Sequence, residues 1–300
     1  MTGLGALIQR NMKLYFKDKG MFFTSLITPV ILLVLYSTFL GGVYEDSFRS
    51  ALSAAGATVS DKVIWGCVGG QLISSLLAVS CVTVAFCANL LMVQDKTTGS
   101  RADLTIAPVK PGTLGLGYYL ATLCSTLLIN LAALGVCLVY LAMVGWFLTA
   151  WDVAALVLDV ALLVLFGTAL SSCVIFPLTT NGQASAVGTV ISAGYGFLCG
   201  AYMPISSFSE GLQETLSFLP GTYGTSLLRN HALGGVFAEM KEIGFPEAVI
   251  EAIRDSVDCN LYFFGSKMET GAMYAVLIGS IAVFIGLYIG LNVLKGRKAG

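Results

Sequence analysis

The stretch Val160–Ser209, VALLVLFGTALSSCVIFPLTTNGQASAVGTVISAGYGFLCGAYMPISSFS, contains no Asp, Glu, Lys or Arg. A helix crossing a ~30 Å hydrocarbon core needs roughly 20 mostly apolar residues. The stretch is therefore long enough for two crossings, and its reading decides how many the chain makes. Pro177-Leu-Thr-Thr-Asn-Gly182 interrupts it, and Pro and Asn-Gly are helix-breaking punctuation. The reading is one span over Val153–Phe176, in which Asp159 is the lone charge, a turn, and a second span from about Ala184 to Met203 that stops at Pro204.

The same absence of charge recurs in Met21–Tyr44, Val63–Gln94, Pro111–Trp151 and Thr270–Leu294. These supply spans over Met21–Val43, Val63–Val93, Gly115–Val144 and Ala272–Leu294, six in all with the split pair. Composition agrees: 56% of residues are hydrophobic and only 11% charged, against about 25% charged in ordinary soluble domains. The expected fold is an all-α membrane protein with six transmembrane helices. An amphipathic interfacial helix over residues 1–20 precedes a transmembrane domain over 21–300. A charged loop over 95–110 lies on one side and a segment over 204–271 on the other.

Most of the 16 basic residues lie in three places: Arg10 to Lys19, Lys96 to Lys110 and Lys295 to Lys298. Six spans put all three on one side, and the excess of Lys and Arg makes that side cytoplasmic. The acids Glu45, Asp46, Glu210, Glu214 and Glu239 to Asp258 fall on the other. The expected location is the plasma membrane, multi-pass, with both termini cytoplasmic. The first apolar run is longer than the ~7–15 residues of a signal h-region, so it reads as a retained span.

The eight cysteines read as free thiols. All but Cys259 lie within the uncharged runs, where Cys packs as a small apolar residue. His231 is the only histidine and there is no Cys-x-x-Cys, so no metal site is expected. No Gly-x-x-x-x-Gly-Lys-Ser/Thr phosphate loop occurs. The chain is expected to bind no cofactor and to be no enzyme, for no nucleophile–base pair can be named. No nucleic-acid partner is expected either.

On a helical wheel, residues 4–17 place Leu4, Leu7, Ile8, Met12, Leu14, Tyr15 and Phe16 on one broad face. Gln9, Arg10, Lys13 and Lys17 fall on the other, a pattern suited to the membrane interface. Asn11 interrupts the apolar face. This helix either anchors the first span or touches a cytoplasmic partner. The most distinctive polar stretch is DKTTGSRADLTIAPVKP, Asp95–Pro111. Residues 99–107 have room for about two helical turns lying flat beneath the membrane, before Pro108 and Pro111 stop the helix. Its alternative role is a solvated loop whose charges only set topology.

This stretch resembles the first cytoplasmic loop of ABC-2 type transporter permeases through Asp95, Lys96, Gly99, Ser100, Asp103, Leu104 and Pro108. Thr97 stands where that family often has a second acid, and Asp95 is shorter than its usual Glu. The resemblance extends along the chain to Gly200–Phe208, Leu219–Tyr223 and Leu227–Arg229, which look like the family's paired short helices dipping into the outer leaflet before the last span. It implies an export permease that lacks its own ATPase. Two permease copies, identical or not, would pair with two nucleotide-binding subunits that carry ATP and Mg. The coupling loop would comprise Asp95, Lys96, Gly99, Ser100, Arg101, Asp103, Leu104 and Pro108, with Arg10, Lys13 and Lys17 of the elbow helix beside it and the Thr179–Gln183 turn as a lesser contact.

Asp159 is costly inside a span and is a pathway candidate, the alternative being a structural partner. In the fifth span Tyr195, Phe197 and Tyr202 interleave with Ser192, Gly196 and Gly200, at the spacing that lets helices approach closely. Gly66/Gly70 and Gly286/Gly290 repeat that spacing. The aromatics suit an amphipathic drug, lipid or peptide-like cargo, although the same architecture would export a lipid-linked glycan. An ion-coupled transporter would need more intramembrane charge than Asp159 alone. Pro246–Val257 reads as a short amphipathic helix on the outer side.

Overall fold

The computed structural model describes residues 2–54, 60–106 and 111–298, so Pro108 lies outside the described residues. The chain begins with α1 (Thr2–Lys17) and α2 (Lys19–Leu35). Asp18, in extended backbone, separates them and accepts the Met21 N–H at 3.0 Å, an N-cap that starts α2. After a π-helical turn at Tyr36–Leu40, the helix continues as α3 (Gly41–Ala54). Then come α4 (Asp61–Asn89), α5 (Leu91–Thr97), α6 (Ser100–Ile106), α7 (Pro111–Val144) and α8 (Ala150–Ile175).

The expected break at Pro177 is present. Residues after Phe176 turn, and α9 (Asn181–Leu198) opens with Thr180 and Gln183 in a reciprocal capping box. A 3₁₀ turn at Ile205–Ser207 leads to α10 (Glu210–Leu216), α11 (Pro220–Glu242) and α12 (Glu247–Ser256). The hairpin of β1 (Tyr262–Phe263) and β2 (Ser266–Lys267) precedes α13 (Thr270–Lys298).

Five described helical stretches are long and apolar enough to cross a membrane: Lys19–Ser50, Asp61–Thr97, Gly112–Val144, Ala150–Ile175 and Thr270–Lys295. The expected fifth span, α9, has 18 residues, or about 27 Å. It carries Asn181, Gln183, Ser185, Thr189 and Ser192 and is not among the five. The second departure is α11. Paired short helices were expected at Gly200–Phe208 and Leu219–Arg229; α10 is short, but the second stretch opens α11, which runs 23 residues to Glu242. Pro220 fits its first turn, where a missing N–H costs nothing.

The bundle is organised around α4, which packs against α2, α7, α8, α9 and α11 and is buried from Val63 to Asn89 except at Trp65. A helix apolar all round belongs inside. Gly66 and Gly70 let α11 approach: a Cβ on Gly70 would sit 2.4 Å from Leu233, and one on Gly66 would meet Phe147 and Val236. Gly286 and Gly290 instead face open space. Gly224 of α11 lies against Leu163, midway along α8, while Gly235 lies against Phe147 beyond the end of α7. Thus α11 rises from mid-bundle to the end opposite the basic residues.

Candidate functional site

At the basic end, α1, α5 and α7 meet on one carboxylate. Asp95 Oδ2 accepts Arg10 Nη1 at 2.6 Å and the Tyr118 hydroxyl at 2.5 Å, while Oδ1 accepts Arg10 Nη2 at 2.9 Å. The bidentate fork fixes orientation as well as distance. The Asp95 side chain is only 5% exposed, and its hydrogen bonds hold Arg10 charged, its pKa raised above the ordinary arginine value. Arg10 Nη1 also donates to Asn11 at 2.8 Å. Asn11 breaks the apolar face in sequence but belongs to the strip Leu7–Asn11–Tyr15, one residue per turn, that α1 buries. Tyr15 finishes it by donating to Ser25 at 2.8 Å. Lys13 and Lys17 are exposed.

The next residue clamps a different element. Lys96 Nζ donates to the carbonyls of Phe176 and Leu178, both at 2.6 Å. These are C-terminal carbonyls of α8 and its turn, which have no intrahelical donor. Thr97 reaches Asn181 at the start of α9 at 3.4 Å. Gly99 then takes φ +82°, a left-handed conformation open to Gly at no steric cost, and the chain turns into α6.

No residue of α6 is buried. Asp103 is exposed, Ile106 is 83% exposed, and Leu104 alone leans on the core. The eight residues read as one loop thus divide. Asp95 and Lys96 face inward and fix the segment to three elements; Asp103 is presented outward, Ser100 is half-exposed, and Arg101 turns partly back.

A lateral groove of ≈ 910 Å³ runs between α2 and α9, with Cys87 and Leu90 at its base. Ile27, Ile31 and Leu35 make one wall; Ser185, Thr189, Ser192 and Phe197 make the other, and Tyr202 lines it too. Phe197 and Tyr202 stand edge to face at 5.1 Å, and the Tyr202 hydroxyl donates to the Ser192 carbonyl at 3.3 Å. The wall is apolar with a few hydroxyls, the mixture that suits an amphipathic ligand. Tyr195 is not on it: that ring is buried, against Gly221.

The family model for the ABC-2 type transporter matches residues 2–232, a span that contains the elbow helix, the Asp95 clamp, α6 and the groove. The chain belongs to this family. No curated protein matches the chain.

In this ABC-2 permease Asp159 does not reach the groove. It is fully buried, with His231 Nδ1 2.6 Å from Oδ2 and the Tyr274 hydroxyl donating to Oδ1 at 2.6 Å. It ties α8 to α11 and α13. Two residues earlier on α11, Arg229 is 1% exposed and donates to Asp258 at 3.1 Å and to the Gly200 carbonyl at 2.5 Å. Asp258 in turn accepts the N–H groups of Ile205 and Ser206. The polar residues in the first half of α11, Thr222, Thr225, Ser226 and Arg229, are therefore buried against protein, while Lys241 and Glu242 at its end are exposed.

Sequence reasoning missed Tyr118, His231 and Arg229. Tyr118 left a signal, a hydroxyl just inside a span entrance beside the charged loop. His231 and Arg229 lie 72 and 29 residues from their partners, and nothing local marks them.

Proposed function

We propose that this permease is the membrane-spanning subunit of an ATP-driven exporter. It acts with a second permease copy and with separate ATPase subunits that bind ATP and Mg, and it moves an amphipathic drug-, lipid- or peptide-like substrate out of the cytoplasm. The observation that carries this reading is α6: a short exposed helix joined through Gly99 to α5, which Asp95, Lys96 and Thr97 tie to α1, α7, α8 and α9, so that a push on α6 is passed to all four. Such a lever has a use only where an outside partner does work on it.

The remaining parts follow from that frame. Both basic ends are cytoplasmic by the charge bias. α9 is the fifth of six spans, its small and hydroxylated surface covered by the second copy rather than by lipid alone, and α10 and α11 enter the outer leaflet. The α2–α9 groove, with Phe197 and Tyr202, lies on the substrate pathway, while Asp159 acts as an internal tie.

The test is co-expression with the ATPase subunit and measurement of ATP hydrolysis and substrate efflux in parallel. Deleting Gly99–Leu104, or replacing Asp103 by Arg, should leave the spans folded and hydrolysis measurable while efflux is lost. Efflux that survives the deletion, or that runs without any ATPase and collapses with the proton gradient, overturns the proposal.

A further inference from the structure

Three cations converge at the basic end without a carboxylate between them. Lys96 and Lys295 stand 5.8 and 5.3 Å from the centroid of the Phe176 ring. Arg101 is near enough to act on both electrostatically, and they on each other. Among the described residues none of the three forms a salt bridge, and Asp95, the chain neighbour of Lys96, is taken by Arg10 and Tyr118. Asp103 is two residues from Arg101 on α6 and so points another way.

The Arg101 Nη1 atom is buried and has no hydrogen-bond partner among the described residues. An unpaired buried guanidinium nitrogen is an unfavourable arrangement that an anion would relieve. It turns back toward the bundle, within electrostatic reach of Tyr118 and Tyr288, and away from the outward side of α6. Next to Lys295 on α13, Leu294 is 60% exposed, and Leu287, two turns back on the same face, is 54% exposed, offering an apolar track beside the cluster. A basic cluster at helix ends, next to exposed aliphatic side chains, fits a phosphate that carries acyl chains better than a free one.

We propose that Arg101, Lys96 and Lys295 bind the phosphate of an anionic phospholipid headgroup, with its acyl chains along Leu287 and Leu294. The guanidinium supplies the fork, the two ammonium groups the surrounding charge, and Phe176 holds both lysines in place. This site is separate from the α2–α9 groove, and its test does not depend on transport.

The measurement is lipid binding to the purified permease in detergent, by native mass spectrometry and thermal unfolding. The probes are dioleoyl phosphatidylglycerol, dioleoyl phosphatidylcholine and inorganic phosphate. Wild type should retain phosphatidylglycerol over phosphatidylcholine and be stabilised by it, and should ignore millimolar inorganic phosphate. Arg101→Gln with Lys295→Gln should weaken phosphatidylglycerol binding about thirtyfold, the effect of two basic groups at a membrane surface. Lys13→Gln with Lys17→Gln should leave it within about twofold, since those side chains lie outside the cluster. Equal retention of the two lipids by wild type overturns the proposal even where the double variant fails to fold. An equal loss in the Lys13 and Lys17 control overturns it as diffuse attraction, and stabilisation by inorganic phosphate alone reassigns the site to a soluble anion.

Discussion

Replacing Asp95 by Asn removes the charge on which three elements meet while leaving the side chain's shape intact. The wild-type carboxylate accepts two bonds from Arg10, at 2.6 and 2.9 Å, and one from Tyr118 at 2.5 Å. Hydrogen bonds to a charged group contribute about 1.5–3 kcal/mol each, and stripping one partner from a fully buried pair costs about 3–5 kcal/mol. Arg10 is 29% exposed, so water recovers part of its loss, and Asn keeps one acceptor oxygen. The expected cost is therefore about 2–3 kcal/mol, below the fully buried limit. Tyr118→Phe, which leaves the ion pair, should cost about 1–2 kcal/mol. In a double-mutant cycle, Arg10→Gln and Asp95→Asn should couple by at least ~1 kcal/mol, because they share one interaction. The assay is unfolding in micelles, with amide exchange mapped by element. Exchange should accelerate in α1 and α6 and stay unchanged in the middle of α4. Additive single effects, or an α1 unmoved by Asp95→Asn, would refute the argument that this carboxylate holds the elbow helix.

Other expectations test separate parts of the account. A Cβ on Gly235 would lie 1.9 Å from the Phe147 carbonyl oxygen, so Gly235→Ala must displace backbone; it should lower stability by about 2–4 kcal/mol, within the range of overpacking and strain, whereas Gly286→Ala, in open space, should be near neutral in the same assay. Ser192→Trp should fill the groove and reduce substrate-stimulated hydrolysis, with basal hydrolysis and complex assembly kept; full stimulation would remove the groove from the pathway. On the opposite end, the Lys267 ammonium 2.8 Å away holds the Glu251 carboxyl below its usual range. A depressed carboxylate pKa stabilises above the unfolded value of about 4.3 and the contribution is lost as pH falls through the folded one. Amide exchange in the 262–267 hairpin, corrected for intrinsic rate, should rise on acidification below that point in wild type and be insensitive to it in Glu251→Gln.

What was legible in the sequence was whatever has a local cause. Uncharged runs reported the membrane class, Pro177 and Asn181-Gly182 reported the break before α9, and the Asp95–Pro108 stretch reported a helix under the bundle. The division of labour within that stretch was not legible. Asp95 and Lys96 are adjacent and both charged, yet one reaches α1 and α7 and the other the end of α8, contacts 85 and 80 residues away. The same holds for Asp159, whose reading as a pathway residue or an internal partner turned on His231 and Tyr274. The burial of Arg229 on α11 was not legible either, because its partners, Asp258 and the Gly200 carbonyl, come from distant parts of the chain. α9 shows the reverse: a span was expected there, while its hydroxylated, small surface lacks the apolarity of the five long helices.

The central claim, that α6 is where the ATPase subunit pushes, is tested most directly by a photo-crosslinker placed at Asp103. In membranes holding both subunits, the account predicts a crosslink to the ATPase from position 103 and none from Trp151, which is 78% exposed at the other end of the bundle. No crosslink from position 103 in a complex that nonetheless hydrolyses ATP and exports would contradict it.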